Sequence, residues 1–306
     1  MEQPTPNHVV VAGGTGLVGG HLVPALLQAG HGVTLLTRAP GRTPLPAGAR
    51  SASWEDLPGL LEGAGAVVNL CGESIAQGRW SPARKRAILA SRLDATARLV
   101  QAMAALPQPP QVLVNASAVG YYGPMDGRPV DEAQGPGRGF LADVCRQWEA
   151  QADGASALGV RVVKLRLGVV LAREGGALPR LAFPVRIYQG AKLGHGQQGL
   201  SWIHIDDLVR LILEAIGNPA YRGPVNATAP MPASNETFTR AVARQLKRPL
   251  LPVPGALTRA AVRLLLGQMA QEMLLDGAFV YPRQAERLGF QFRFPGAAEA
   301  LADLLG

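Results

Sequence analysis

Cysteines, paired metal ligands and long apolar runs are all scarce in this sequence, and each shortage excludes a class of protein. The chain has only two cysteines, Cys71 and Cys145, far apart in sequence, so we expect neither a disulfide framework nor a paired redox motif. Its five histidines show no spacing that would place two ligands on one helical turn, so no metal site is expected. No apolar run approaches the roughly 18 residues of a membrane span, so no membrane partner is expected.

The N-terminal residues and the net charge predict where the protein is found and which kinds of partner it binds. The N-terminal residues lack the basic patch and small-residue cleavage site of a secretory signal, which favours a cytoplasmic protein. The formal net charge is +8, but the basic residues are dispersed and no aromatic residues are interleaved with them. We therefore expect a small-molecule substrate and a homodimer, with no nucleic-acid partner.

Short β-branched runs alternate with helix-length amphipathic segments over residues 1–120. This rhythm predicts an α/β fold, a doubly wound parallel sheet of the Rossmann type. Strands are predicted at 8–12, 33–37, 66–70, 112–116 and 160–165, and helices at 16–29, 81–106 and 140–152.

After Leu171 the alternation gives way to glycine-rich loops and separate helices. A helix is predicted at 205–216 with Asp206 as its cap. A second helix is predicted to begin at a cap, Ser234 or Asn235, and to end at Leu246. A proline-rich linker at 249–254 precedes helices at 257–275, 283–288 and 297–305. We predict an NADP-binding Rossmann domain at 1–248 and a small, mainly helical C-terminal domain at 249–306.

Glycines follow the first predicted strand with the spacing G-x-x-G-x-x-G, at Gly13, Gly16 and Gly19. Such glycines allow a tight turn, close approach of the backbone to a pyrophosphate, and close packing of helix on strand. A bare glycine pattern also marks ordinary turns. Its position at the first strand-to-helix junction favours a dinucleotide site with the pyrophosphate at the helix N-terminus.

The absence of a carboxylate after the second predicted strand favours NADP over NAD. An NAD site usually has Asp or Glu about 20 residues after the glycine motif to bind the ribose hydroxyls. Between Glu2 and Glu55 this chain has none, and Thr37-Arg38 follows the second strand instead. A guanidinium there can pair with a 2′-phosphate, so we expect NADP, although a solvated loop charge remains the alternative for Arg38.

A further strand ends in Asn69-Leu70-Cys71-Gly72 at the same edge of the predicted sheet. Small residues there let the chain approach a cofactor, although a plain strand-to-loop turn is the alternative. The predicted cofactor-binding residues are Gly13, Thr15, Gly16, Leu17, Val18, Gly19, Thr37, Arg38, Asn69 and Gly72.

Motifs spread along nearly the whole chain resemble the extended short-chain dehydrogenase/reductase superfamily, and within it the NAD-dependent epimerase/dehydratase-like "epimerase family protein" group that is typified by SDR39U1-like proteins. The resemblance rests on the glycine loop and on the segments at 69–75, 79–80, 91–92, 116–123, 140–149 and 201–208. It implies a Rossmann core with bound NADP and a substrate cleft under the C-terminal part.

The sequence departs from this superfamily at one important place. Active members carry a Tyr-x-x-x-Lys pair that moves the proton accompanying hydride transfer. When Glu149 is matched to the usual glutamate of that helix, the Tyr position falls on Leu141 and the Lys position on Cys145. Neither residue can do this chemistry in the usual way, and a buried, inert cysteine is the simpler interpretation of Cys145.

Other residues near the predicted cleft could take the place of the missing Tyr-Lys pair. The resemblance places Ser117 where a substrate oxygen is polarised, just past the end of its strand, and Tyr122 could supply a phenolic proton unless it is packed in the core. These two are the catalytic candidates. The substrate-binding candidates are Arg79, Trp80, Arg92 and Arg138, for which helix-end contacts and exposed surface charge are the alternative.

Three functions remain open from the sequence. The first is an NADP(H)-dependent oxidoreductase or epimerase-like enzyme that acts on an unidentified small polar substrate. The second is a non-catalytic NADP(H)-binding sensor or scaffold protein, which the missing Tyr-Lys pair favours. A basic RNA-binding module is the third and weakest hypothesis.

Overall fold

Short parallel strands form the framework of the computed structural model, which describes residues 7–42, 44–125 and 127–306. In chain order the strands are β1 (His8–Ala12), β2 (Gly32–Thr37), β3 (Ala49–Ser53), β4 (Ala66–Asn69), β5 (Val112–Ala118), β6 (Pro129–Val130), β7 (Arg161–Leu167), β8 (Val169–Leu171), β9 (Gly199–Leu200), β10 (Trp202–His204), β11 (Gly223–Ala227), β12 (Ala233–Ser234) and β13 (Phe279–Val280).

Helices connect these strands. They are α1 (Leu17–Gln28), α2 (Leu57–Leu61), α3 (Pro82–Ala104), α4 (Phe140–Asp153), α5 (Leu178–Arg186), α6 (Ile205–Gly217), α7 (Asn235–Gln245), α8 (Gly255–Leu266), α9 (Gln268–Ala270), α10 (Arg283–Arg287) and α11 (Ala297–Leu305). Within the described ranges, no helix is both long enough and apolar enough to cross a bilayer.

The main sheet has seven strands among the described residues, in the order β11-β7-β5-β4-β1-β2-β3, and every neighbouring pair is parallel. The chain runs outward from β1 to β3 in one direction and from β4 to β11 in the other. The strand order therefore reverses between β1 and β4, which is where open α/β sheets bind their ligands. The predicted α/β fold class is confirmed, including a helical C-terminal region.

Both faces of the sheet are covered, which explains why its strands are apolar at successive positions. Along β1, Val9 and Val11 belong to a core with α1 and α6, whereas Val10 and Ala12 belong to a core with α2 and α3. The two sets alternate because successive side chains of a strand point to opposite faces. These two cores fix the strand ends that carry the cleft.

The C-terminal segment is tied to the rest of the chain by strand pairing and hydrogen bonds. Strand β13 pairs with β6, and the Ser201 hydroxyl donates to the Ala278 carbonyl (2.7 Å) while accepting from the Val280 amide (2.8 Å). The Asp207 carboxylate accepts from the amides of Arg293 and Phe294, both at 2.9 Å. The division at 248/249 stays a prediction.

Several local predictions were wrong. The cap of α6 is His204, whose Nδ1 accepts from the Asp206 amide at 3.1 Å, because His204 has the extended backbone of a cap and Asp206 lies in the first turn. The predicted helix at 257–275 is broken after Leu266, where Gly267 adopts a φ of +61°, and a π-helical turn follows at Gln271–Leu275. Ser117 lies within β5, not past its end.

A matched pair of glycines in α1 tests the packing of this helix on the glycine loop. A Cβ on Gly19 would lie 2.4 Å from the Gly14 Cα, whereas a Cβ on Gly20 would meet nothing within 4 Å. We expect Gly19→Ala to lower the free energy of unfolding by about 1–3 kcal/mol through overpacking. Gly20→Ala should raise it by roughly 0.5–1 kcal/mol because alanine is the better helix former. Denaturant unfolding measures both, and equal effects would contradict the close approach.

Candidate active site

One cleft of about 540 Å³ lies at the carboxyl-terminal edge of the sheet, beside the ends of β1, β4 and β5. Its lining brings together nine of the sixteen residues predicted to bind cofactor or substrate or to act in catalysis. They are Gly13, Gly16, Leu17, Val18, Gly19, Gly72, Arg92, Ser117 and Arg138. The remaining candidates, Thr15, Thr37, Arg38, Asn69, Arg79, Trp80 and Tyr122, lie outside this lining.

The glycine loop leaves the N-terminus of α1 open to a ligand. Gly13 has a φ of +78°, and a Cβ there would lie 2.8 Å from the Leu70 carbonyl carbon. The helix cap is Gly16, which has no side chain to occupy the free amides, and the first turn carries no acidic residue. Free amides and the helix dipole make this end an anion site of the kind that holds a pyrophosphate.

Arg38 is exposed directly after β2, beside the glycine loop, and Thr15 is also exposed. The Thr37 hydroxyl accepts from the Ala39 amide at 3.2 Å and so shapes this turn. Burial raises the pKa of Cys71 to about 11, and the nearby positive charge of Arg38 partly opposes that rise. The guanidinium is therefore an electrostatic neighbour of the cleft, although it does not line it.

Asn69 has a structural role that its sequence position did not reveal. Its buried amide donates to the Thr96 hydroxyl (2.9 Å) and to Asn115 Oδ1 (2.7 Å), and its Oδ1 accepts from the Cys71 amide (3.1 Å). Each of these bonds is internal to the protein. Asn69 thus shapes the turn that presents Cys71 and Gly72 to the cleft.

Ser117 is connected to a buried ion pair. Its hydroxyl donates to Glu149 Oε1 at 2.7 Å. Arg166 binds the same carboxylate through two bonds, from Nε to Oε1 and from Nη2 to Oε2, each 2.9 Å. Burial alone would lower the pKa of Arg166, but hydrogen bonds to Glu149 and the charge of that carboxylate raise it above its usual value. The Ser117 proton therefore points toward Glu149, and the same hydroxyl also contacts the thiol of Cys145.

Tyr122 is hydrogen-bonded to Arg166 and so belongs to the same buried network as Glu149 and Ser117. Its side chain is fully buried, and its hydroxyl donates to Asn226 Oδ1 (2.7 Å) while accepting from Arg166 Nη1 (2.9 Å). Burial raises the pKa of Tyr122 to about 12. Since the phenolic proton is engaged away from the cleft, the geometry favours the core-packed alternative for this residue.

Leu141 and Cys145, which stand at the Tyr and Lys positions of the superfamily pattern, both line the cleft one turn apart on α4. Burial, followed by the nearby Glu149 charge, raises the pKa of Cys145 to about 11. Its thiol is therefore neutral near pH 7 and is not an activated nucleophile. The helix faces the cleft as the alignment predicts, but without a titratable pair.

The four substrate candidates occupy different environments. Trp80 is buried, donates to the Ile75 carbonyl (2.9 Å) and packs edge-on to Phe140 with ring centroids 5.1 Å apart. Arg79 is exposed beside Gly267, outside the cleft. Arg138 is exposed at the rim, and Arg92 lies inside the cleft. Only the last two can meet a ligand there.

Sequence reasoning missed the C-terminal contribution to this cleft. Glu272, Met273 and Asp276 line it, and Glu272 accepts from the amides of Phe140 (3.2 Å) and Leu141 (2.9 Å) at the start of α4. These contacts bridge more than 130 residues, so no local pattern could reveal them. Arg166 had a usable signal, because a charged residue in a strand flanked by other strands of a parallel sheet requires a partner where it is buried.

A parallel sheet with an open helix N-terminus at its switch point defines an NAD(P)-binding Rossmann protein. The chain matches the NAD dependent epimerase/dehydratase family over residues 9–227, and it belongs to that family. Residues 257–304 match a second family, described as a domain of unknown function, DUF1731.

Relatives of similar length match nearly the whole chain. An "Epimerase family protein" of Mycobacterium bovis is 42% identical, with 96% of each chain covered. A chloroplastic "Epimerase family protein SDR39U1 homolog" of Arabidopsis thaliana is 40% identical, over 97% of this chain and 86% of its own. The crystal structure of human epimerase family protein SDR39U1 with NADPH has a TM-score of 0.86 at 34% identity, covering 97% of this chain and 99% of its own.

Tyr122 is hydrogen-bonded to Asn226 and Arg166, whereas its neighbour Tyr121 is not, so the two tyrosines test this buried network. Tyr122→Phe leaves Asn226 Oδ1 without its donor and Arg166 Nη1 without its acceptor, so we expect a loss of about 1–3 kcal/mol in the free energy of unfolding. The Tyr121 hydroxyl has no hydrogen bond within the described part of the chain. Tyr121→Phe should therefore change stability by less than about 0.5 kcal/mol. Chemical denaturation compares the two, and a reversed order would refute the network.

Proposed function

We propose that this chain is an NADP(H)-dependent oxidoreductase or epimerase-like enzyme that acts on a small polar substrate at Ser117, without a Tyr-x-x-x-Lys pair. The observation that carries the proposal is that one cleft is lined both by the glycine loop at the N-terminus of α1 and by Ser117. A dinucleotide held by its pyrophosphate at the first place would extend toward the second.

The residues present fit this cofactor. Gly13 and Gly19 allow the glycine loop to pack closely against Leu70 and α1, and Gly16 leaves the helix end without a capping side chain. The structure of human SDR39U1, 34% identical, contains NADPH. Preference for the 2′-phosphate is assigned to Arg38, which follows β2 where an NAD site carries an acid. When bound, the cofactor would supply or accept a hydride at its nicotinamide ring.

Ser117 is the residue proposed to meet the reacting oxygen of the substrate. Because its proton is directed to Glu149, Ser117 can accept a hydrogen bond from the hydroxyl of an alcohol substrate. In an oxidation it would take up that proton while passing its own proton to the Glu149 carboxylate. To polarise a carbonyl in the reverse direction, the hydroxyl must rotate away from Glu149. Arg166 keeps Glu149 in place in either case through its two hydrogen bonds.

A second candidate is a non-catalytic NADP(H)-binding protein. Leu141 and the neutral thiol of Cys145 occupy the cleft positions where acid-base groups would stand, and Tyr122 is committed to the core. This candidate requires NADPH binding without turnover, together with a partner whose affinity depends on the bound cofactor. Turnover with any substrate would exclude it.

Removing the Arg38 guanidinium tests the choice of cofactor. Arg38→Ala should weaken NADPH binding about tenfold or more, because a charge-assisted hydrogen bond contributes roughly 1.5–3 kcal/mol. Binding of NADH should be unchanged, since it has no 2′-phosphate. The matched control is Arg50→Ala, an exposed arginine on β3, which should affect neither cofactor. Calorimetry measures all four affinities, and parallel losses for NADPH and NADH would contradict the assignment.

The catalytic role is tested with a panel of alcohols, carbonyl compounds and nucleotide sugars, using NADPH or NADP⁺ absorbance as the readout. For any substrate found, Ser117→Ala should lower kcat by about 10²–10⁴-fold while NADPH affinity stays the same. Ser156→Ala, which changes an exposed serine in the 3₁₀-helical turn after α4, is the control and should be silent. Inactivity across a broad panel with NADPH bound would reject the enzyme in favour of the non-catalytic candidate.

A further inference from the structure

Arg92 lies midway along the cleft, between its two proposed functional ends. The side chain comes from α3, and its Cζ lies 2.9 Å from the place a Cβ would occupy on Gly72. Gly72 follows β4, and β4 is the strand between β1, which carries the glycine loop, and β5, which carries Ser117. A ligand that extends from the glycine loop to Ser117 must therefore pass the guanidinium.

Three contacts hold this guanidinium in place. Nη1 donates to the Ile88 carbonyl (2.9 Å), and Nη2 donates to the Glu73 carbonyl (3.2 Å). The third contact is with the ring of Trp148, whose centroid is 5.1 Å from Cζ. A side chain fixed by its own helix, by the β4 loop and by α4 is oriented before any ligand arrives, which reduces the entropy cost of binding.

The fixed guanidinium has no counter-charge among residues 7–42, 44–125 and 127–306, because no carboxylate lies within ion-pair distance of it. The nearest acid, Glu73, gives Arg92 only its main-chain carbonyl and pairs its carboxylate with Arg84. A guanidinium has five N–H donors, and two are engaged here. Burial lowers the pKa of Arg92, and the charge of Glu73, which is itself paired with Arg84, opposes this only in part.

We propose that Arg92 is a positioning residue that binds phosphate or ribose oxygens on the nicotinamide half of the dinucleotide. It would act there as a second fixed point, after the helix N-terminus, that directs the reactive ring toward Ser117. This inference rests on the proposed NADP(H) binding and adds a residue-level assignment to it. Arg138, exposed at the rim of the same cleft, stays a substrate-binding candidate.

Two ligands separate the halves of the cofactor in a binding experiment on the full chain. NADPH has both halves, whereas adenosine 2′,5′-bisphosphate has only the phosphorylated adenosine half. For Arg92→Met, calorimetry should show NADPH affinity reduced about tenfold or more, as expected for the loss of charge-assisted hydrogen bonds. Affinity for adenosine 2′,5′-bisphosphate should stay within about twofold, which also shows that the variant is folded.

Two further variants give the experiment its controls. Arg92→Lys keeps the charge without the planar fork, so it should bind NADPH better than Arg92→Met does. Arg86→Met, which changes an exposed arginine on the same helix outside the cleft lining, should leave both affinities unchanged. Parallel losses for the two ligands, an unchanged NADPH affinity, or a lysine variant no better than the methionine variant would each overturn the role of Arg92. If the unaltered chain binds neither ligand, the proposed function itself is wrong.

Discussion

A buried ion pair between Glu149 on α4 and Arg166 on β7 is the interaction on which the arrangement of the cleft depends. Both side chains are almost completely removed from water, so each requires the other, and loss of one partner of such a pair typically costs about 3–5 kcal/mol. The pair orients the Ser117 hydroxyl on one side and meets the Tyr122 hydroxyl on the other. The pair therefore connects Ser117 in the cleft lining to Tyr122 in the core.

The same interaction explains how the cleft can contain polar groups without the usual acid-base pair. In this chain the polar atoms near Ser117 are bonded to one another inside the protein, while α4 presents Leu141 and a neutral Cys145 to the ligand. The two acids of the lining, Glu272 and Asp276, accept hydrogen bonds from the start of α4 and from Gln271. The positive charges of the cleft are those of Arg92 within it and Arg138 at its rim. Such a cleft is suited to binding and orienting an anionic dinucleotide, and its proton chemistry centres on a single hydroxyl.

Much of the fold could be predicted because it depends on local patterns. The alternation of apolar strands and amphipathic helices predicted the parallel sheet, and the glycine spacing after β1 predicted the open helix N-terminus. Predictions failed where distant residues decide the outcome. The sequence could not show that Trp80 is buried against Phe140 or that Asn69 is engaged with Asn115, because both partners come from other elements. The break at Gly267 was missed because the apolar periodicity continues past it.

By itself, the sequence determined the fold class, the position of the glycine loop and the absence of an acid after β2, since each of these depends on residue type and short-range spacing. Only the tertiary structure decided which polar side chains line the cleft. Ser117, Arg92 and Glu272 lie on different elements, and they meet because parallel strands end at one edge of the sheet and the C-terminal segment returns to it. Tyr122 was excluded from the cleft for the same reason, since the orientation of a side chain depends on neighbours distant in sequence, here Arg166 and Asn226.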